Sequence, residues 1–190
     1  MFARASMRDP KQAKVKGTNM LSAVKALRMV REQARATLAP RLHHYLEERI
    51  LVSNKYPEED HVELLRAIAR LMPPAPDPWL VLGHGSARSD LNGLYRAHLR
   101  PGDPRRTLAS AQALWRNYHD TGEMTVSFDS DHDATLRLRA FVAPARELCL
   151  INIGYFSELV TMAGGRDVRC VEVGCVVKGA AECSWTVAWR

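Results

Sequence analysis

A chain of 190 residues with 46% hydrophobic content can bury one sizeable core, and no apolar run approaches the ~20 residues needed to cross a bilayer. The N-terminus lacks the apolar stretch of a secretory signal, which points to the cytoplasm and to four cysteines kept reduced, for metal ligation or burial. The net charge of +6 sits mostly in residues 1–16, where Arg4, Arg8, Lys11, Lys14 and Lys16 face only Asp9; this reads as a disordered basic tail, and with no helix-turn-helix signature or aromatic–basic interleaving it makes no case for nucleic acid.

From Gly17 the chain reads as one domain, 17–190, without a linker that would divide it. Thr18 or Asn19 can cap a helix whose apolar positions Met20, Val24, Leu27, Val30, Ala34 and Leu38 share one face. A shorter amphipathic piece follows Pro40. Tyr56-Pro57-Glu58-Glu59-Asp60 is a helix start with acids in the first turn, and Val62, Leu65, Ile68, Ala69 and Met72 make its apolar stripe. Pro73 to Pro78 stops it and forms a stiff connector. The next helix runs from about Trp79 to His98, and Arg100-Pro101-Gly102-Asp103-Pro104 turns into another that carries Leu108, Leu114, Trp115 and Tyr118.

After Thr121-Gly122 the period changes. Met124–Phe128 and Thr135–Val142 alternate as strands do, joined by the polar Asp129-Ser130-Asp131-His132-Asp133. Leu148 to Met162 is helical and ends at Gly164-Gly165. Two last strands follow, Asp167–Val173 and Cys183–Trp189, the second with Cys183, Trp185, Val187 and Trp189 on one face. The order predicts an α+β fold, a helical layer packed on a twisted, largely antiparallel sheet formed mostly by the C-terminal third.

Chemistry is concentrated near the C-terminus. Cys175 and Cys183 flank a tight turn and can converge; Glu172 just upstream and Cys149 from an earlier element can close a tetrahedron of the kind zinc prefers. Plain burial of three thiols is the alternative. Adjacent His43 and His44 point about 100° apart on a helix and do not share an ion. Leu82-Gly83-His84-Gly85-Ser86 is not a nucleophile elbow, and close helix packing around its glycines explains it better. Asp129, Asp131 and Asp133 lack the glycine and distant glutamate of a calcium loop.

The pieces Cys149-x4-Gly154-Tyr155, Gly164-Gly165-Arg166-Asp167-Val168 and Glu172-x2-Cys175-x3-Gly179-x3-Cys183 resemble the 4-vinyl-reductase-like small-molecule-binding domain. That superfamily includes bacterial aromatic sensors and Golgi transport-particle subunits. With Tyr56-Pro57, Leu82-Gly83, Leu94-Tyr95, Pro101-Gly102-Asp103-Pro104, Leu114-Trp115-x2-Tyr118-x3-Gly122 and Trp185-x3-Trp189, the whole chain from Lys16 is also similar to a large uncharacterised bacterial paralogous family. The resemblance implies a domain that is often dimeric, with a structural zinc on Cys149, Glu172, Cys175 and Cys183. Cys170 has no ligand counterpart.

The expected function is a non-enzymatic, cytosolic ligand-binding or sensory domain with a structural zinc. An apolar pocket for an apolar or aromatic small molecule is expected between helices and sheet, lined by some of Trp115, Tyr118, Phe128, Tyr155 and Phe156. Output would pass through a partner protein or a homodimer formed by the stripe Met20, Leu21, Val24, Leu27 and Met29. The alternatives are a ligand-free adaptor or scaffold and, last, an enzyme, for which no activated nucleophile or paired catalytic carboxylates stand out.

Overall fold

The computed structural model describes residues 13–71 and 77–190. The basic tail expected over 1–16 therefore lies outside the described residues up to residue 12, as does the proline connector from Met72 to Pro76. Where the described chain begins it is already ordered. Strand β1 (Lys14–Lys16) pairs antiparallel with β2 (Lys55–Pro57) and buries Val15 completely, so an apolar residue in a basic run pulls the end of the expected tail into the core.

Helix α1 (Gly17–Arg28) starts one residue before the expected caps, with Gly17 set against the Leu51 carbonyl and its N–H donating to Asn54 O at 2.8 Å. It does not run on to Leu38. Val30 leaves the helical region (φ −127, ψ 47), the Arg28 guanidinium donates to Tyr45 O at 2.8 Å, and α2 (Arg31–Thr37) begins anew. Helices α3 (His44–Glu47) and α4 (Glu58–Leu71) complete a helical lobe. Met20, Val24, Leu27, Leu42 and Leu64, all fully buried, form its core. The stripe expected to dimerise is thus largely covered by the chain's own helices. Met29, 86% exposed, is the exception.

In the second lobe Asp77 caps α5 (Pro78–Asn92), accepting from Leu80 N at 3.3 Å. Asp103 does the same for α6 (Pro104–Ala109), which Ser110 separates from α7 (Ala111–Tyr118). Strands β3 (Glu123–Phe128) and β4 (Asp133–Arg139) form the predicted hairpin, closed by Asp129 N–H on Asp133 O at 3.0 Å. Helix α8 (Arg146–Met162), β5 (Arg169–Gly174) and β6 (Cys183–Ala188) follow.

All strand pairs of the sheet are antiparallel, in the order β3-β4-β6-β5, with Leu136 opposite Trp185 and Leu138 opposite Cys183. These inward positions make the second core with Leu114, Tyr155, Phe156 and Leu159. The molecule is α+β, helices on an antiparallel sheet from the C-terminal third, as the sequence predicts. No helix among the described residues is long and apolar enough to cross a membrane.

Helix α8 is the shared wall. It packs on α5 through Gly83 and Gly154, where a Cβ on Gly83 would come within 3.0 Å of Gly154 Cα and closer still to the Ile151 carbonyl. Gly85, by contrast, faces open space. The glycine-packing expectation applies to one of its two glycines.

Candidate functional site

A cavity of about 90 Å³ lies where the two cores meet, walled by α1, α4, α5, α7 and α8. Most of the wall's area is apolar; Thr18, Asn19, Ser22, Ser86 and Asn152 contribute small polar groups, and two polar clusters carry the titratable ones.

The first is built on Glu58. Its position at the start of α4 is fixed by β2, and its own N–H donates to Ala13 O at 2.9 Å, which carries the side chain inward. The carboxylate accepts from His119 Nδ1 at 2.8 Å and from His61 Nδ1 at 3.4 Å. Burial alone would raise its pKa, but the charge and hydrogen bonds of the two histidines hold it down at about 2. Each histidine therefore has Nδ1 directed at one ionised carboxylate, and both rings line the cavity. His119 is fixed further by Trp115, whose ring stacks on it at 4.0 Å between centroids and whose Nε1–H donates to Thr121 O at 3.0 Å. An isolated bridge from Val15 to His119 ties this corner to β1.

The second polar group is Asp90, near the end of α5. Tyr118 and Tyr155 both donate their hydroxyl hydrogens to its Oδ2, Tyr155 from 3.1 Å. Burial raises the Asp90 pKa against the pull of those two hydrogen bonds. Burial likewise pushes both tyrosines far above the ordinary phenol value, so they remain donors.

Of the residues expected at a pocket, Trp115, Tyr118, Tyr155 and Phe156 line this cavity. Phe128 does not; it packs at the edge of the sheet core with Arg105 over its ring at 4.5 Å. Sequence reasoning missed Glu58, His61, Asp90 and His119. The signal available was weak: an acid directly after Tyr56-Pro57, and a histidine three residues on.

At the expected metal site, Cys149 Sγ lies 3.7 Å from Cys175 Sγ and 3.5 Å from Cys183 Sγ, all three buried. Glu172 is not with them. Its carboxylate accepts from Arg146 and from Lys178 Nζ at 3.0 Å. The thiols satisfy one another: Cys149 S–H donates to Cys183, which also receives Val176 N–H at 3.4 Å. Burial and the neighbouring sulfurs push the Cys149 thiol up, keeping it protonated. His84, beside Gly83, is paired with Glu158 at 2.8 Å, together with Arg88.

Two lobes, one helical and one backed by an antiparallel sheet, closed over a single junction form a known fold. It is the fold of H-NOX proteins. The chain is similar to an H-NOX protein from S. oneidensis in an Fe(II)NO ligation state, with 14% identity, a TM-score of 0.65, and 92% of this chain and 99% of that one covered. It is similar to an Fe(II) unliganded H-NOX variant from K. algicida at 11% identity and TM-score 0.66, over 92% and 96% of the two chains. It is likewise similar to a structure concerned with heme distortion in the H-NOX family, at 8% identity and TM-score 0.67, over 92% and 95%. The sequence matches no protein-family model and no curated protein.

Two expectations are corrected by this. The fold is that of H-NOX proteins and not a 4-vinyl-reductase-like one. The cysteine spacing that suggested otherwise occupies only the last part of the chain, whereas the structural likeness spans 92% of it. The structural zinc is withdrawn: the prosthetic group named for these relatives is heme, and the fourth expected ligand, Glu172, is held by two cations.

Heme itself does not fit the residues present. The cavity, about 90 Å³, is well below the ~300 Å³ at which sites for larger organic ligands begin. His61 and His119 offer imidazoles, but among the described residues the lining contains no arginine or lysine to face two propionates and brings a half-buried carboxylate, Asp90, instead.

Proposed function

We propose that this chain is a small-molecule-binding sensory domain that performs no chemistry on its ligand and takes it up in the cavity between the two cores. One observation carries the reading: His61 and His119, engaged by Glu58, and Tyr118 and Tyr155, engaged by Asp90, line a mostly apolar cavity at the lobe junction. Buried polar groups are costly unless fully satisfied, and a scaffold has no need to place them there. Solved relatives of the same fold support it, since they include an Fe(II)NO state and an oxygen complex. Occupancy would act on the cavity walls, α1 and α4 of one lobe against α5, α7 and α8 of the other, and the output would pass to a partner protein or a second copy. The residues at the cavity are set for holding: Glu58 is engaged by two histidines and Asp90 by two phenols, which leaves neither as a free general base.

The adaptor reading draws on a different feature. Val173 and Val177, 66% and 51% exposed on β5 and the turn after it, form an apolar edge away from the cavity. Native mass spectrometry of gently purified protein distinguishes the two. The sensory reading expects a non-covalent organic adduct lost on Leu114→Trp, which fills the cavity. Unliganded chain alone, together with one-to-one uptake of added hemin, would overturn both this reading and the exclusion of heme.

A further inference from the structure

We propose that the cavity selects a small primary amine, bound as the ammonium on Asp90 with its apolar body against the aromatic wall. The proposal rests on the reading of this cavity as the ligand site and assigns the ligand's chemical class.

Asp90 is a half-buried carboxylate without a cation among the described residues. Among the described residues no lysine, arginine or histidine forms an ion pair with it, and Arg88, two residues away on the same helix, is engaged by Glu158 at 2.7 Å. Its partners are neutral phenols, and both donate to the same oxygen, Oδ2. Oδ1 has no hydrogen-bond partner among the described residues, and Asp90 belongs to the cavity wall. A carboxylate partly withdrawn from water in this state is stabilised most by a cation that brings its own hydrogens. An ammonium offers three donors. Oδ1 can accept one, and the Tyr118 oxygen, whose hydrogen is already committed to Oδ2, can accept another.

The rest of the wall suits such a ligand. Thr18 Oγ1 is buried without a partner and can accept a further hydrogen. The Tyr118 and Tyr155 rings, at 6.4 Å and 86° to one another, present faces and edges beside the carboxylate, and aromatic faces attract a desolvated cation. Leu114, Ile151 and Phe156 provide apolar surface. An acid would meet a carboxylate at one end of the cavity and ionised Glu58 behind the histidines at the other, so anions are disfavoured throughout. The volume, about 90 Å³, lies below the ~150 Å³ of an engineered cavity that admits benzene, which limits the ligand to a short aliphatic chain.

Isothermal titration with n-propylamine and with n-propanol, its neutral counterpart of nearly equal shape, tests the assignment. Wild type is expected to bind the amine at least about tenfold more tightly, the scale of a charge-assisted hydrogen bond. Asp90→Asn is expected to remove that preference while still binding n-propanol. Equal affinity of wild type for the two compounds, or an amine preference that persists in Asp90→Asn, would overturn the amine assignment and leave the cavity reading standing. Failure of both compounds to bind overturns the cavity reading with it. The wild-type comparison decides the matter even if the variant does not fold.

Discussion

Glu58 and His119, 61 residues apart in the chain, meet at 2.8 Å and join the helical lobe to the sheet-backed lobe at the cavity wall. This contact is the main polar link between two otherwise apolar cores, and His61 completes it from the helical side.

Acid should therefore weaken the junction in a defined range. The folded-state pKa of Glu58 is depressed to about 2 from an ordinary 4.5, so the stability it contributes is complete above about pH 4.5 and is lost as pH falls toward 2. Urea titrations at pH 7, 5 and 3 should show a falling midpoint over that range. Glu58→Gln should cost about 3 kcal/mol at pH 7 and flatten the acid dependence. A variant as stable as wild type would show that the histidines do not depend on the charge.

The α5–α8 contact admits no side chain at its centre. Gly154→Ala would press a methyl group into the Leu80 backbone, and the expected loss is about 1–3 kcal/mol, with the two helices forced apart. Gly85→Ala, on the facing helix α5, meets open space and should be neutral or slightly stabilising. Thermal unfolding of the two variants makes the comparison, and equal effects would contradict the packing described.

Trp185 is the centre of the sheet core. It is fully buried, its Nε1–H donates to Cys149 O at 3.1 Å, and Phe156 meets its ring edge-on at 5.4 Å. Trp185→Ala is expected to cost about 3–5 kcal/mol. A loss below about 1 kcal/mol, read by chemical denaturation, would mean the core collapses around the gap.

The Glu172 pairing separates two accounts of the thiol cluster. Arg146 and Lys178, 32% and 58% exposed, hold from the solvent side a carboxylate that is itself only 10% exposed. Glu172→Gln is thus expected to cost about 1–2 kcal/mol, the same with or without chelator. A large loss abolished by chelator would mean the carboxylate serves an ion after all.

Much of the fold was legible because it is periodic. The alternation of Cys183, Trp185 and Val187 marks the inner face of β6, and the polar run at 129–133 marks the turn between β3 and β4. The break between α1 and α2 was not legible, because Val30 leaves the helix through tertiary contacts made by Arg28. The site was hidden for a related reason. Glu58 looks like an ordinary first-turn acid, and His119 follows a helix end; only the closure of β1 onto residues 55–57 and 119 brings them together. The aromatic wall was partly visible, since Trp115, Tyr118, Tyr155 and Phe156 sit at helical spacing on α7 and α8. The thiol spacing was visible and correctly placed three sulfurs together, yet it said nothing about where Glu172 would turn.

Methyl-detected NMR during titration with n-propylamine tests the central claim most directly. The account predicts saturable shifts of the Leu65, Leu114 and Ile151 methyl groups, which line the cavity from three helices, at one ligand per chain. Shifts confined to exposed methyl groups such as those of Val173 and Val177, or no saturable shift at all, would contradict it.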